Sequence, residues 1–138
     1  MVKSVAATDK RRPLIVIVGV CASGKTTLST GLKERGYNAQ SLAQEHSVSP
    51  RFWQRRQPDF LVFLDCQFAT IKRRKDVSWG PQRYQQQHAV LSDAREHADL
   101  VVVTDNLSPD ELISYVYQVL KSRGVYPAER GEERDSQA

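Results

Sequence analysis

Lys25, Thr26 and Thr27 stand directly behind the run Gly19-Val20-Cys21-Ala22-Ser23-Gly24. Two glycines at this spacing, followed by a lysine and a hydroxyl residue, suit the holding of phosphate. Glycines let the chain wrap so that successive N–H groups turn inward. The ammonium then bridges the β- and γ-phosphates, and the Thr26 hydroxyl ligates Mg²⁺. Gly19, Cys21, Ala22, Ser23, Gly24, Lys25, Thr26 and Thr27 form the expected binding set, with the amides from Ser23 to Thr27 foremost. The Thr27 hydroxyl is placed to reach an α-phosphate. The bland alternative is a glycine-rich turn that matches the pattern by chance.

Further groups are needed if a phosphoryl group is to be moved. Such transfer asks mostly for in-line positioning and for cations around the migrating group. Arg73 and Arg74 are candidates, as is Arg83, although a basic helix end also has a plain role against the helix dipole. An acid must hold Mg²⁺ or orient the acceptor hydroxyl. Glu45 is a candidate base or metal partner beside Lys25 and Thr26. Asp65 is a candidate on the other side, receiving a hydrogen bond from the loop. Both could equally be ordinary carboxylates at strand ends. His46, Arg51, Trp53, Arg55 and Arg56 could form an acceptor pocket, the arginines gripping an anion and the indole stacking on a ring. Trp53 has a competing place in the core.

The elements that must position these residues are legible around them. Leu14 to Val18 is an apolar run that reads as a buried strand. Lys25 to Arg35 follows as a helix, with Leu28 and Leu32 one turn apart, and stops at Gly36. Tyr37 to Ala43 reads weakly as a second strand, ahead of Gln44, Glu45 and His46. Ser49-Pro50 opens a short helix over Arg51 to Arg56. Phe60 to Leu64 is a third strand closed by Asp65. A short helix carries Phe68 and Ile71 and ends in Lys72 to Lys75. A longer helix runs from Gln82 to Ala98, with Tyr84, His88, Leu91, Arg95 and Ala98 at helical spacing. Leu100 to Val103 is the fourth strand. Ser108-Pro109-Asp110-Glu111 is a capping box that starts the last helix, ending before Gly124.

Apolar strands alternating with helices predict an α/β domain with a mainly parallel four-stranded sheet in three α/β/α layers. The expected spatial order is second, first, third, fourth, with the loop at the carboxyl ends of the strands where the winding reverses. Residues 13–123 form the domain, with a lid-like segment at about 72–83. Residues 1–12 read as a flexible basic tail, and 124–138 as a disordered polar one.

With this context in place, the loop resembles that of the P-loop NTPase superfamily, and Gly-Val-Cys-Ala-Ser-Gly-Lys-Thr-Thr-Leu is most similar to its nucleotide kinases. Pro58-Asp59-Phe60-Leu61-Val62-Phe63-Leu64-Asp65 resembles a strand of thymidylate and deoxynucleoside kinases. In that family a basic helix comes next and leads into a lid over the ATP phosphates; Ile71-Lys72-Arg73-Arg74-Lys75 holds that place. The resemblance covers most of Leu14 to Arg123. It implies a base site at Asn106, Leu107 and Ser108, and a fold that binds ATP with Mg²⁺. No guanine-specific Asn-Lys-x-Asp run is present, which favours ATP over GTP. The family's larger acceptor-binding insertion, between the second strand and the Pro-Asp strand, shrinks here to one short helix.

Composition sets outer limits. The chain has 138 residues, 40% hydrophobic and 26% charged, which fits one globular domain. No apolar run approaches the ~20 residues of a membrane span, and Met1 to Arg12 carries no apolar leader segment, so a cytoplasmic setting is expected. The net charge is +4, and Arg51 to Arg83 holds eight basic residues against three aspartates. Cys21 and Cys66 make no metal spacing with a histidine and read as small, half-buried thiols in a reducing compartment.

Three functions compete on this footing. The first is a small ATP-dependent phosphotransferase for a small anionic or nucleoside-like acceptor. The second is a nucleotide-dependent switch or slow ATPase acting on a protein partner. The third is a polynucleotide-end kinase, motivated by the basic segment with Trp53 and Trp79 but lacking any recognisable nucleic-acid module.

Overall fold

The computed structural model describes residues 13–20, 22–75 and 78–127. Four strands form one parallel sheet: β1 (Leu14–Gly19), β2 (Asn38–Ser41), β3 (Phe60–Asp65) and β4 (Leu100–Val103), in spatial order β2-β1-β3-β4. Four α-helices accompany it: α1 (Lys25–Glu34), α2 (Phe68–Arg74), α3 (Pro81–His97) and α4 (Pro109–Ser122). Two 3₁₀ turns, Gln44–His46 and Phe52–Arg56, lie between β2 and β3.

β1 and β3 are central, so both their faces must be apolar, and their sequences LIVIVG and FLVFLD meet that demand. Ile15 and Ile17 face one layer with Phe60, Val62 and Leu64, packed against Leu28 and Leu32 of α1 and Leu112, Val116 and Leu120 of α4. Val16 and Val18 face the other with Leu61 and Phe63, against Leu91 and Ala94 of α3, Ile71 of α2 and Trp53. The three layers and the strand order agree with the sequence reading.

The edges differ. β2, NAQS, buries Ala39 and little else, and is shorter than the Tyr37–Ala43 run expected. It is a strand because β1 pairs along it from Leu14↔Asn38 to Ile17↔Ser41. The α1 terminus fixes where it starts. Gly36 takes φ 93, its N–H reaches Lys33 O and the Tyr37 N–H reaches Leu32 O, which is a Schellman stop. α4 ends the same way: Gly124 has φ 78, and Val125 N–H reaches Leu120 O at 2.8 Å. Tyr37 Oη then donates to Val125 O at 2.7 Å, and Val125 packs on the core. The fold therefore continues through Pro127, past the boundary at 124 read from composition; residues 1–12 and 128–138 lie outside those described.

α3 is less amphipathic than α1 or α4. It buries Gln87, Leu91 and Ala94, so its inward stripe is centred one residue away from the Tyr84, His88 and Arg95 pattern. Those three sit at its margin: Tyr84 Oη donates to Cys66 O at 2.6 Å, and Arg95 bonds Asp65.

Candidate functional site

α1 begins without a cap. Its N-cap is Gly24 in a left-handed conformation, no side chain bonds the first turn, and no acid lies there. The first helical bond runs from Leu28 N–H to Gly24 O. The N–H groups of Lys25, Thr26 and Thr27 thus have no helical acceptor. α4 makes the contrast. Its Ser108–Glu111 capping box is complete, and Asp110 and Glu111 occupy the first turn. One helix start is satisfied by its own side chains; the other is left as an electropositive end facing open space.

The loop before α1 is shaped by its neighbours. A Cβ on Gly19 would lie 2.2 Å from Leu64 O, so only glycine lets the loop leave β1 flush against β3. Ala22 takes φ 61 and Gly24 φ 112. Lys25 then folds back over the loop. Its Nζ donates to Gly19 O at 3.1 Å, Val20 O at 3.2 Å and Glu45 Oε2 at 2.7 Å. An ammonium has three protons, so its whole donor capacity is engaged.

Glu45 is brought there by its neighbour. Gln44 is fully buried; its Nε2 donates to Ser49 O at 2.8 Å and its Oε1 accepts from Trp53 N–H at 2.7 Å. The segment from β2 to Trp53 is fastened by that amide, and the next residue is presented to Lys25. The Glu45 side chain is only 4% exposed. Its second oxygen, Oε1, is buried with no hydrogen-bond partner among the described residues. A buried carboxylate oxygen left so is costly unless a donor or cation arrives.

The opposite wall comes from β4 and α2. Thr104 is 1% exposed; its Oγ1 donates to Ser23 O at 2.9 Å, and its N–H reaches Asp65 O at 2.8 Å. Arg74 Nη1 donates to Ala22 O at 3.0 Å, and Arg74 Nη2 donates to Thr104 O. Asp105, next in the chain, accepts from Gln67 N–H and Thr70 Oγ1 at the start of α2. Burial works against its charge, but these hydrogen bonds outweigh it and hold the carboxyl below its ordinary range.

Between these walls lies a cavity of about 670 Å³, across the carboxyl ends of the strands. Ala22 to Thr27 form its floor. Ser41, Leu42, Ala43, Glu45 and His46 line the β2 side, and Arg74, Lys75, Thr104, Leu107 and Ser108 the β4 side. Among the described residues, three cations, Lys25, Arg74 and Lys75, line it with one acid, Glu45.

The structure gathers part of the expected set. Ala22, Ser23, Gly24, Lys25, Thr26, Thr27, Glu45, His46, Arg74 and Ser108 all line this cavity. His46 is half exposed, with Nε2 3.7 Å from Glu45 Oε2. The Ser108 hydroxyl is already used as the α4 cap. Cys21 lies outside the described residues. Gly19 lies behind the lining, giving its carbonyl to Lys25.

Other expected residues are elsewhere. Asp65 turns its carboxylate to α3, where Arg95 Nη1 donates to Oδ2 at 3.0 Å and His88 Nε2 lies 3.5 Å from Oδ1. Thr104 N–H takes its backbone carbonyl, and among the described residues no loop group bonds its carboxylate. Among the described residues Arg73 bonds Thr70 Oγ1, away from the cavity lining, and Asn106 is exposed off the cavity. Trp53 is buried and donates its indole N–H to Asp93 Oδ2 at 2.9 Å. Arg51 lies 3.8 Å from Asp93, and Arg55 stacks over Phe52. With Arg56 they are exposed around that packed turn and do not line the cavity. The acceptor pocket expected from Arg51, Trp53, Arg55 and Arg56 is not assembled, because the indole fills core space under α3 and takes its neighbours with it.

Gln44 and Thr104 are the site-shaping residues that sequence reasoning passed over. A buried glutamine carries no periodic signal. Thr104 follows the fourth strand, the position from which a residue can reach a neighbouring loop. The expected lid divides: Lys72 to Arg74 end α2, Trp79 packs on Phe68 at 5.8 Å between ring centres, and α3 starts at Pro81. Cys66 is buried, and burial pushes its thiol up to about 11. Among the described residues no helix is long and apolar enough to cross a membrane.

No protein-family model matches this chain, and no curated protein matches it as a relative.

Proposed function

We propose that this chain binds ATP with Mg²⁺ at the head of α1 and transfers the γ-phosphoryl group to a small hydroxyl-bearing acceptor. The observation that carries the reading is the uncapped start of α1, opening into a cavity beside a buried Lys25–Glu45 pair with one carboxylate oxygen unpartnered. Free helix N–H groups and an ammonium are a phosphate chemistry. The donor set also fits Mg²⁺, a hard cation that prefers oxygen: Thr26, a hydroxyl residue, lines the cavity, and Glu45 Oε1 has no partner among the described residues. When bound there, Mg²⁺ supplies charge neutralisation at the phosphates.

The chain's own groups divide the work. The amides of Lys25 to Thr27 hold phosphate oxygens. Lys25 leaves Glu45 to bridge the terminal phosphates. Glu45, released, orients the acceptor hydroxyl or accepts its proton as the acceptor O–Pγ bond forms, the bond from Pγ to the β–γ bridging oxygen breaks and ADP leaves. Lys75 adds positive charge on the β4 side, beside Arg74 on the loop carbonyl of Ala22. Lys25→Ala tests the scheme. It should weaken Mg²⁺-dependent ATP affinity and abolish transfer, read by calorimetry and by transfer of labelled phosphate across a metabolite panel. Wild-type protein that binds ATP yet labels no acceptor would sink the kinase reading.

A second reading, a nucleotide-dependent switch or slow ATPase on a protein partner, is favoured by the reduced acceptor side. Only Ser41, Leu42, Ala43, Glu45 and His46 line the cavity there. Slow hydrolysis with no small-molecule product, together with nucleotide-dependent association, would select it.

A further inference from the structure

We propose that Thr104 and Arg74 are positioning residues that hold the Ala22 and Ser23 peptides of the loop before α1 in their ligand-ready orientation, acting through the carbonyls rather than by touching the ligand. The proposal rests on the reading of that loop as a nucleotide site.

The loop is not self-supporting. Ala22 sits at φ 61, a region that a side-chain-bearing residue keeps only when its surroundings over-determine it. Ser23 is buried, yet its Oγ has no hydrogen-bond partner among the described residues, so no described contact of its side chain locks the turn. Among the described residues, a 3.2 Å bond from Ser23 N–H to Val20 O spans the loop and Lys25 Nζ holds the Gly19 and Val20 carbonyls at its start, which leaves the Ala22 and Ser23 carbonyls to be held from outside.

The missing restraint comes from 81 residues away in the chain, where Thr104 Oγ1 donates to Ser23 O at 2.9 Å. A peptide unit is planar, with C=O and N–H on opposite sides. Holding the Ser23 carbonyl therefore turns the Gly24 N–H away from Thr104. Arg74 does the same one peptide earlier, at Ala22 O, 3.0 Å away. The two clamps are themselves joined: Arg74 Nη1 lies 3.2 Å from Thr104 Oγ1, and Nη2 donates to Thr104 O. Thr104 is tied to β3 through Asp65 O. The chain thus runs from the sheet through Thr104 and Arg74 to two successive peptides of the loop. A planar guanidinium can serve several acceptors in this fixed geometry; an ammonium on a flexible stem cannot.

The test compares Thr104→Val, Thr104→Ser and Arg74→Gln with wild type in Mg²⁺–ATP calorimetry and amide hydrogen exchange of the nucleotide-free full chain. Removing either clamp should weaken ATP binding about tenfold and speed exchange of the loop amides by a similar factor. Exchange in the α4 core should stay unchanged. Thr104→Ser should stay within about threefold of wild type, since it keeps the donor. Arg74 is exposed, so its variant carries the test should Thr104→Val fail to fold. ATP affinity within about twofold of wild type in Arg74→Gln, with loop exchange unaltered, overturns the proposal while leaving the nucleotide reading intact. Wild-type protein with no affinity for Mg²⁺–ATP overturns both.

Discussion

Lys25 and Glu45 occupy each other. The ammonium spends its donors on two loop carbonyls and one carboxylate, so phosphate has to compete with an internal partner. Breaking a largely buried ion pair is unfavourable unless both halves find new ones. The proposed reaction provides this, with phosphate for Lys25 and Mg²⁺ or an acceptor hydroxyl for Glu45. Glu45→Gln should therefore split two properties. ATP affinity should hold or rise, by up to about tenfold, because Lys25 is released from its charged partner. Phosphoryl transfer should fall by about 100-fold or more if Glu45 handles the acceptor proton. Calorimetry and steady-state kinetics separate these, and unchanged turnover would leave Glu45 only the task of holding Lys25.

α1 carries the loop, and what fixes α1 is its fit to α4. Gly31 lies where the two helices meet, and a Cβ there would come within 2.5 Å of Ile113 Cδ1. Glycine inside a helix costs about 1 kcal/mol relative to alanine, yet here it permits close approach. Gly31→Val should destabilise the fold by about 1–3 kcal/mol through overpacking. The loss should be smaller when Ile113 is first cut back to alanine, which opens room. Urea unfolding of the two single variants and the double variant checks this; strict additivity would show that the crowding is not with Ile113. The sequence marks the end of α1 through Gly36, and the start and end of α4 through the Ser108–Glu111 box and Gly124. It says nothing of Gly31, since a glycine inside a helical pattern looks like a defect until its neighbour is known.

Across the whole molecule, buried titratable groups set the pH range of the fold. Burial pushes Tyr37 and Tyr84 up to about 12, and Cys66 up to about 11. All three are neutral below their ordinary values, near 10 for tyrosine and 9 for cysteine. Their contribution to stability is complete there and is lost as pH rises toward the folded values. Stability should accordingly decline from about pH 9 toward 12, and Tyr84→Phe should flatten part of that decline. Asp105 acts at the acid end with the opposite sign. Its folded value is lowered, so its support is present above the ordinary carboxylate range and lost as pH falls through the folded value. The gap in urea stability between wild type and Asp105→Asn should close on acidification. A gap that is constant with pH would mean that the carboxylate charge is not what ties β4 to α2.

The order and type of elements were determined by local sequence. Apolar runs such as Leu14–Val18 and Phe60–Leu64 cannot be left in water, and central parallel strands are where runs apolar on both faces belong. Glycine spacing and helix caps are likewise local, so the loop, the Schellman stops and the α4 start were all legible. The partners of the polar residues were decided by tertiary structure. Asp65 and Glu45 look alike at the ends of their segments, yet one is taken by Arg95 and the other by Lys25. Trp53 carries the same indole whether it stacks on a ligand or fills space under α3, and only the packing of that layer chose the second. A hydrogen bond such as that between Thr104 and Ser23 joins positions far apart in the chain, and no window of sequence contains both of its ends.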